Sequence, residues 1–204
     1  MADIDPPAPG RRAQKKDEMR TRISDMVIEL LAEGRLDLNH DVIADRIGIG
    51  RRTVYRYFPD REALLAAATD RVREMAGPRV TFPRDENDLL GTLHDIHTGF
   101  DSIAPIATLM RSTPQGRAMR KAQNQRRIDA YTAATADAVK DLPPEDQTLA
   151  SAMIQVLHTT PWLEMRDHWG LTGEQIATAT GWAIRTLLKD LRERGSRPIG
   201  DPEG

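Results

Sequence analysis

Between Arg46 and Arg61 the chain sets five arginines (Arg46, Arg51, Arg52, Arg56 and Arg61) against one acid, Asp60. This is a local charge of +4 in a protein whose formal net charge is −2. Tyr55, Tyr57 and Phe58 are interleaved with these cations. Guanidinium groups donate in bidentate fashion to phosphates and guanine edges, and tyrosine reaches a phosphate or a thymine methyl. The mixture therefore points to a polyanion, double-stranded DNA above all, as the partner of this end of the chain. A second basic run, Arg11, Arg12, Lys15, Lys16, Arg20 and Arg22, lies upstream, diluted by Asp17 and Glu18. There an exposed helix or disorder outweighs an arm that follows the DNA.

Other chemistries find less support. His94 and His97 stand three apart in "LHDIHTGF", but two ligands without a third do not make a metal centre. Glu145, Asp146, Glu164 and Asp167 could pair as catalytic carboxylates, yet no nucleophile or cofactor motif accompanies them. They are expected as solvated charges, and no enzyme, metal or cofactor is expected. "RKAQNQRR" (120–127) is expected as an exposed basic face, with attraction of an anionic effector as the minor alternative. The chain has no cysteine, which excludes disulfides, thiolate metal sites and thiol catalysis. No apolar run approaches the length of a membrane span, so no membrane partner is expected. The opening "MADIDPPAPG" is acidic and proline-rich, unlike a secretory signal peptide, and a cytoplasmic location is expected.

The elements that must position the basic stretch are helical. Aromatic residues make up 4% of the 204, β-branched alternation is nearly absent, and Ala, Leu, Arg, Glu and Asp dominate. The spacing predicts helices over 14–33, 40–47, 51–58 and 61–76. It predicts further helices over 85–102, 104–112, 115–140, 145–168 and 173–194, with a kink or break at Pro161. Gly34 and Gly48 stand where helix C-termini need them, and Asn39 and Asp60 stand as N-caps. The fold class is all-α. The expected organisation is a disordered head (1–12), a three-helix DNA-binding domain with a helix-turn-helix (13–60), a larger helical domain (61–194) and a disordered tail (195–204).

Within the head, Ala44, Gly48 and Val54 are spaced as in a helix-turn-helix. A small residue lets two helices touch, a glycine permits the sharp turn, and a β-branched residue is buried beneath the second helix. Burying Val54 and Phe58 leaves Arg51, Arg52, Thr53, Tyr55, Arg56 and Tyr57 around the rest of that helix.

Residues 20–68 resemble the N-terminal domain of TetR-type transcriptional regulators. The resemblance is carried by "VIADRIGIGRRTVYRYFPDREALL": Ile43-Ala44, Gly48, Ile49, Thr53-Val54-Tyr55, Tyr57-Phe58, Arg61 and Leu64-Leu65. It implies that Arg51 and Arg52 read bases or nearby phosphates, that Thr53, Tyr57 and Arg61 grip the backbone, and that Tyr55 meets a base methyl or a phosphate. Arg56 joins this surface, and Asn39, His40 and Gly50 belong to the DNA-facing corner. Three departures stand at that corner: Gly50 where Ser is usual, Asn39 where Thr or Ser is common, and a loop "EGRLDLN" about one residue short.

The same resemblance implies a helical effector-binding and dimerisation domain whose last two long helices pair with those of a second copy. Leu149, Met153, Val156 and Leu157 line one of these helices, and Ile176, Ala179, Ala183, Leu187 and Leu191 line the other. Both stripes are widened by Ile154, Ile184 and Leu188. The expected ligand-pocket residues are Phe100, Met110, Met119, His158, Trp162, Met165 and Trp169, the large or polarizable side chains on helices of small residues. The resulting expectation is a homodimeric repressor of a palindromic operator, released by a small-molecule effector. A non-specific architectural DNA-binding protein and an all-helical carrier or enzyme are the alternatives.

Overall fold

The computed structural model describes residues 10–35 and 37–200, and among these it contains twelve helices and no strand. Most of the disordered head expected at 1–12 and the end of the tail, 201–204, lie outside the described residues. Contacts divide the chain into two units, 1–71 and 72–204.

The first unit holds α1 (Arg11–Ala32), α2 (His40–Ile47), α3 (Arg51–Tyr57) and the first part of α4 (Arg61–Ala76). Each end has a local cause. The backbone turns left-handed at Gly34, where φ is +73°. The side chain of Asn39 accepts from the N–H groups of Asp41 and Val42 at 3.0 and 3.1 Å, capping α2. Gly48 ends α2 at φ 75° and ψ 38°, a conformation that costs glycine little and any residue with a Cβ much more. Asp60 caps α4, its carboxylate accepting from Ala63 N–H at 2.7 Å. Ile23, Val27, Leu30 and Leu31 of α1 are buried, as are Ile43, Ala44, Val54, Phe58, Leu64 and Leu65. The division falls inside α4, past the sequence-based boundary at 60/61, because α4 is tied back into this unit at two points. Arg61 Nε donates to the Leu38 carbonyl at 3.1 Å, and Arg71 Nε meets the Asp25 carboxylate at 2.7 Å.

The second unit continues with α5 (Glu86–Gly91), α6 (Leu93–Ser102), α7 (Ala104–Ser112), α8 (Pro114–Lys121), α9 (Asn124–Val139), α10 (Pro144–Thr159), α11 (Pro161–Trp169) and α12 (Gly173–Arg194). The break at Pro161 falls where its ring forbids a continued helix. Two further breaks divide helices expected to be continuous. At Thr92 the hydroxyl donates to the Asp88 carbonyl at 2.6 Å and separates α5 from α6. At Ala122–Gln123 the chain tightens, and Arg127 Nη2 satisfies the freed Arg120 carbonyl at 3.2 Å. The core joins Leu89, Leu93, Tyr131, Val139 and Ile154 to Ile184, Leu188 and Leu191 of α12. Helix α12 starts hard against α6: a Cβ at Gly173 would stand 2.5 Å from the His97 carbonyl oxygen. Asp101 fixes this junction by accepting from Gly173 N–H at 2.6 Å and from Trp162 Nε1–H at 2.8 Å. After α12 the tail turns, and Ile199 N–H donates to Asp146 at 2.9 Å. No helix among the described residues is long and apolar enough to cross a membrane.

Two histidines are buried in this core. His158 Nε2–H donates to the Leu89 carbonyl at 2.9 Å, so Nδ1 is left to accept from the Tyr131 hydroxyl at 2.6 Å. His97 Nε2 lies 3.3 Å from the Thr180 hydroxyl. Burial lowers both, His158 to about 4 and His97 to about 3. An unfolded imidazole binds its proton near pH 6.5, whereas these rings stay neutral until far below it. Their contribution is therefore complete above about pH 6.5 and is lost as pH falls towards 4, by roughly 1.4 kcal/mol per pH unit for each ring. Thermal unfolding measured from pH 7.5 to 5 should show a falling midpoint; an unchanged midpoint would mean that the rings are accessible to protons in the folded state.

Candidate functional site

The surface of α3 follows from its registration over α2. Val54 is fully buried, while Arg51, Arg52, Tyr55 and Arg56 are exposed and Thr53 and Tyr57 half-buried. Arg51 and Tyr55, and Arg52 and Arg56, stand four apart and so share faces of the helix. Among the described residues Arg52 makes no hydrogen bond or ion pair, so its guanidinium is available at once. Arg51 is held: its Nε meets Asp41 at 2.7 Å, and its Nη2 lies 3.5 Å from the Tyr55 hydroxyl. The Tyr55 hydroxyl and then Asp41 raise the Arg51 pKa above its ordinary value, so this group is a permanent cation. Arg56 lies over the Tyr57 ring at 5.4 Å.

A second set of groups holds α3 from beneath. The His40 ring stacks on Tyr55, with centroids 4.1 Å apart and planes 6° from parallel. Its Nε2–H donates to the Phe58 carbonyl at 2.8 Å. Arg20 donates to the Tyr57 carbonyl at 3.1 Å and lies over the Phe58 ring at 4.6 Å. Arg22 donates to the Ile47 carbonyl at 3.0 Å, at the end of α2. Carbonyls at helix C-termini lack partners within the helix and carry partial negative charge, so cations and N–H donors belong there.

These placements revise parts of the sequence-based expectation. His40, expected at the DNA-facing corner, is only 4% exposed and acts as a strut under Tyr55. Arg20 and Arg22, expected in a solvated basic run, bond backbone carbonyls, Arg20 half-buried and Arg22 still exposed. Asn39 caps α2 as expected, and Gly50 starts α3 without a side-chain cap. The pairing of Arg51 with Asp41 escaped sequence reading, although an acid in the first turn of α2 is the expected complement to its dipole.

Residues 29–68 match the family model of bacterial regulatory proteins, tetR family. The N-terminal unit is a TetR-family DNA-binding domain. The chain is on this ground a DNA-binding transcriptional regulator. Neither the curated proteins nor the solved structures gave a match.

The candidate ligand residues of the second unit do not all meet. Phe100 and Trp162 pack edge to face at 5.7 Å, and Met165 joins the same cluster with Ala107 and Ile176. Met110 and Met119 are buried. His158 lies in the relay with Tyr131 and Leu89. Trp169 is 78% exposed at the end of α11, where the left-handed turn at Gly170 follows at once. An open cleft of about 320 Å³ lies beside Asp101, Ala104, Arg166 and Leu171, and none of the seven candidates lines it. Nor do His94 and His97 converge: His94 is exposed beside Asp95 and Glu174, whereas His97 is fully buried.

Arg52 is the cation of α3 most free to report on base reading. Arg52→Ala should weaken operator binding by about 1–3 kcal/mol and flatten the preference at one base pair if the guanidinium is bidentate to guanine. Titration of base-substituted operators separates this from a phosphate contact, whose loss weakens all duplexes alike and reduces the salt slope by about one.

Proposed function

We propose that this regulator binds a palindromic operator as a homodimer, represses transcription in the cytoplasm, and is released when a small-molecule effector occupies the second unit. The observation that carries the dimer is an outward apolar stripe. Leu149, Met153 and Val156 recur at helical spacing on α10 and are 54%, 53% and 42% exposed. On α12, Trp182 is 69% exposed. The two helices are joined through their opposite faces, since Ala150 and Ile154 share a core with Ala177, Ile184 and Leu188. Side chains of this size on two adjacent helices support a protein interface over a solvated face. Trp182 was not among the residues singled out from sequence, although its apolar ring among Thr178, Arg185 and Thr186 was visible there.

The DNA-binding unit supplies the reason for pairing. A helix of seven residues spans few base pairs, so specificity requires two heads on half-sites about one helical turn, ~34–36 Å, apart or a multiple of it. An effector then acts by binding more tightly to the arrangement whose heads no longer fit that spacing.

Light scattering should give a particle of twice the 22.8 kDa chain. Met153→Glu combined with Trp182→Glu should yield a monomer with unchanged helical circular dichroism and operator affinity about a hundredfold lower or worse. A double variant that stays dimeric would place the interface elsewhere. Selection on random duplex DNA should enrich a palindrome whose binding weakens steeply with salt. Tight binding with no enriched sequence would establish an architectural DNA-binding protein, and no binding at low salt would favour a carrier or enzyme.

A further inference from the structure

From Ser102 to Ile128 the chain contains six cations (Arg111, Arg117, Arg120, Lys121, Arg126 and Arg127) and no acid. The fold does not spread all of them over the surface. Arg111 ends α7, Arg120 lies in the last turn of α8, and Arg127 lies in the first turn of α9. These three are half-buried, and each lies near enough to another for its charge to be felt.

We infer that Arg111, Arg120 and Arg127 form the anchor of an effector site for an anionic small molecule, one with a carboxylate or phosphate head and an apolar body that packs beside Phe100. This deepens the reading of the second unit as the sensor and rests on it.

The geometry carries the inference. The Arg111 guanidinium lies 4.6 Å above the Phe100 ring. It makes no hydrogen bond or ion pair among the described residues, yet its side chain is not closed off from solvent. Arg120 Nε is buried without a partner, while the Arg120 backbone carbonyl takes up Arg127 Nη2 at 3.2 Å. Fully buried His97 contacts Phe100 edge-on at 6.4 Å, and its Nδ1 has no partner. Phe100 is thus shared by a cation with no counter-ion and a ring with an unused polar atom. Cations drawn together inside a protein are costly unless an anion joins them, and none of the carboxylates among the described residues pairs with these three. Burial, reinforced by Arg120 and Arg127, lowers Arg111 to about 10. The neighbouring Tyr131 offers no compensating charge: burial raises its hydroxyl pKa, so it stays neutral. The start of α9 adds the partial positive charge of its free N–H groups. An exposed basic face would instead keep its guanidiniums in water. Arg117, Lys121 and Arg126 are exposed in that way, and the other three are not.

The test uses the full chain without DNA and follows the unfolding midpoint with sodium octanoate, its neutral counterpart octanamide, and inorganic phosphate at matched ionic strength. Octanoate should raise the midpoint with increasing concentration, and octanamide should not. Phosphate stabilising in place of octanoate would also support the site and assign it to phosphate esters. Arg111→Met removes the unpaired charge while keeping an unbranched side chain, so the ligand-free midpoint should rise by roughly 2–4 °C. The same variant should weaken the anion by about tenfold or more. Arg127→Met serves for the same comparison if Arg111→Met does not fold. Equal effects of octanoate and octanamide, no shift with either anion, or a lower ligand-free midpoint with the anion response intact would overturn the inference. A protein that binds the anion but no operator would overturn the regulatory reading and leave the site standing. One that binds an operator but no anion would overturn the site alone.

Discussion

The DNA-binding unit depends on fixing a helix that is too short to persist by itself. With seven residues, α3 ends before helix propagation can offset the cost of nucleation, so its shape must come from outside. Val54 supplies the apolar anchor below. His40 and Arg20 supply donors to the last carbonyls, those of Phe58 and Tyr57. Arg20 also covers the Phe58 ring, and His40 stacks beneath Tyr55. The residues that make α3 rigid are therefore different from those that make it basic. Rigidity matters because bidentate hydrogen bonds to bases are directional, and a guanidinium on a frayed helix would find phosphates but not discriminate between bases.

The same logic sets the state of the surface cations. Arg51 is kept by Asp41 and Tyr55, whereas Arg52 is free. In the proposed complex, engaging DNA through Arg51 would exchange one anionic partner for another. Engaging it through Arg52 would require only the loss of its water. One short helix thus presents two arginines with different thresholds for contact.

In the second unit polar groups divide into those that are satisfied and those that are not. Asp101 takes N–H donors from Trp162 and Gly173 and so locks three helices at one corner. Tyr131, His158 and the Leu89 carbonyl form a closed relay in which every proton has a place. Thr135 and Ser151 complete a hydroxyl contact at 2.7 Å between α9 and α10. Against this background His97 Nδ1 and Arg120 Nε stand apart among the described residues as buried polar atoms without a hydrogen-bond partner. Native structures leave few such groups, and each one left calls for a cause such as strain, a catalytic role, or a bound water or ion.

Several features were legible in the residues alone, each for a local reason. Helix starts at Asn39 and Asp60 and ends at Gly34 and Gly48 follow from side-chain capping and left-handed backbone, which involve only near neighbours. The Ala44, Gly48 and Val54 spacing, with the arginines around it, disclosed the helix-turn-helix and the exposed basic face of its second helix. The breaks at Thr92 and Ala122–Gln123 were not legible, because one depends on a hydroxyl turned back on its own helix and the other on Arg127 reaching the Arg120 carbonyl. The seven large side chains proposed for a pocket were sorted only by packing: Phe100, Trp162 and Met165 meet, while Trp169 faces water. His40 as a strut, Arg20 and Arg22 as carbonyl donors, and Arg111 beside Phe100 likewise required the tertiary structure. The partners in these contacts lie between 11 and 37 positions apart in the chain. The sequence by itself determined helix identity, most helix ends and the exposed basic face of α3, because these rest on period, capping and composition over a few residues. Which charged and aromatic side chains support the fold and which remain available to a ligand was decided only by tertiary structure, since that choice depends on what each group meets across the chain.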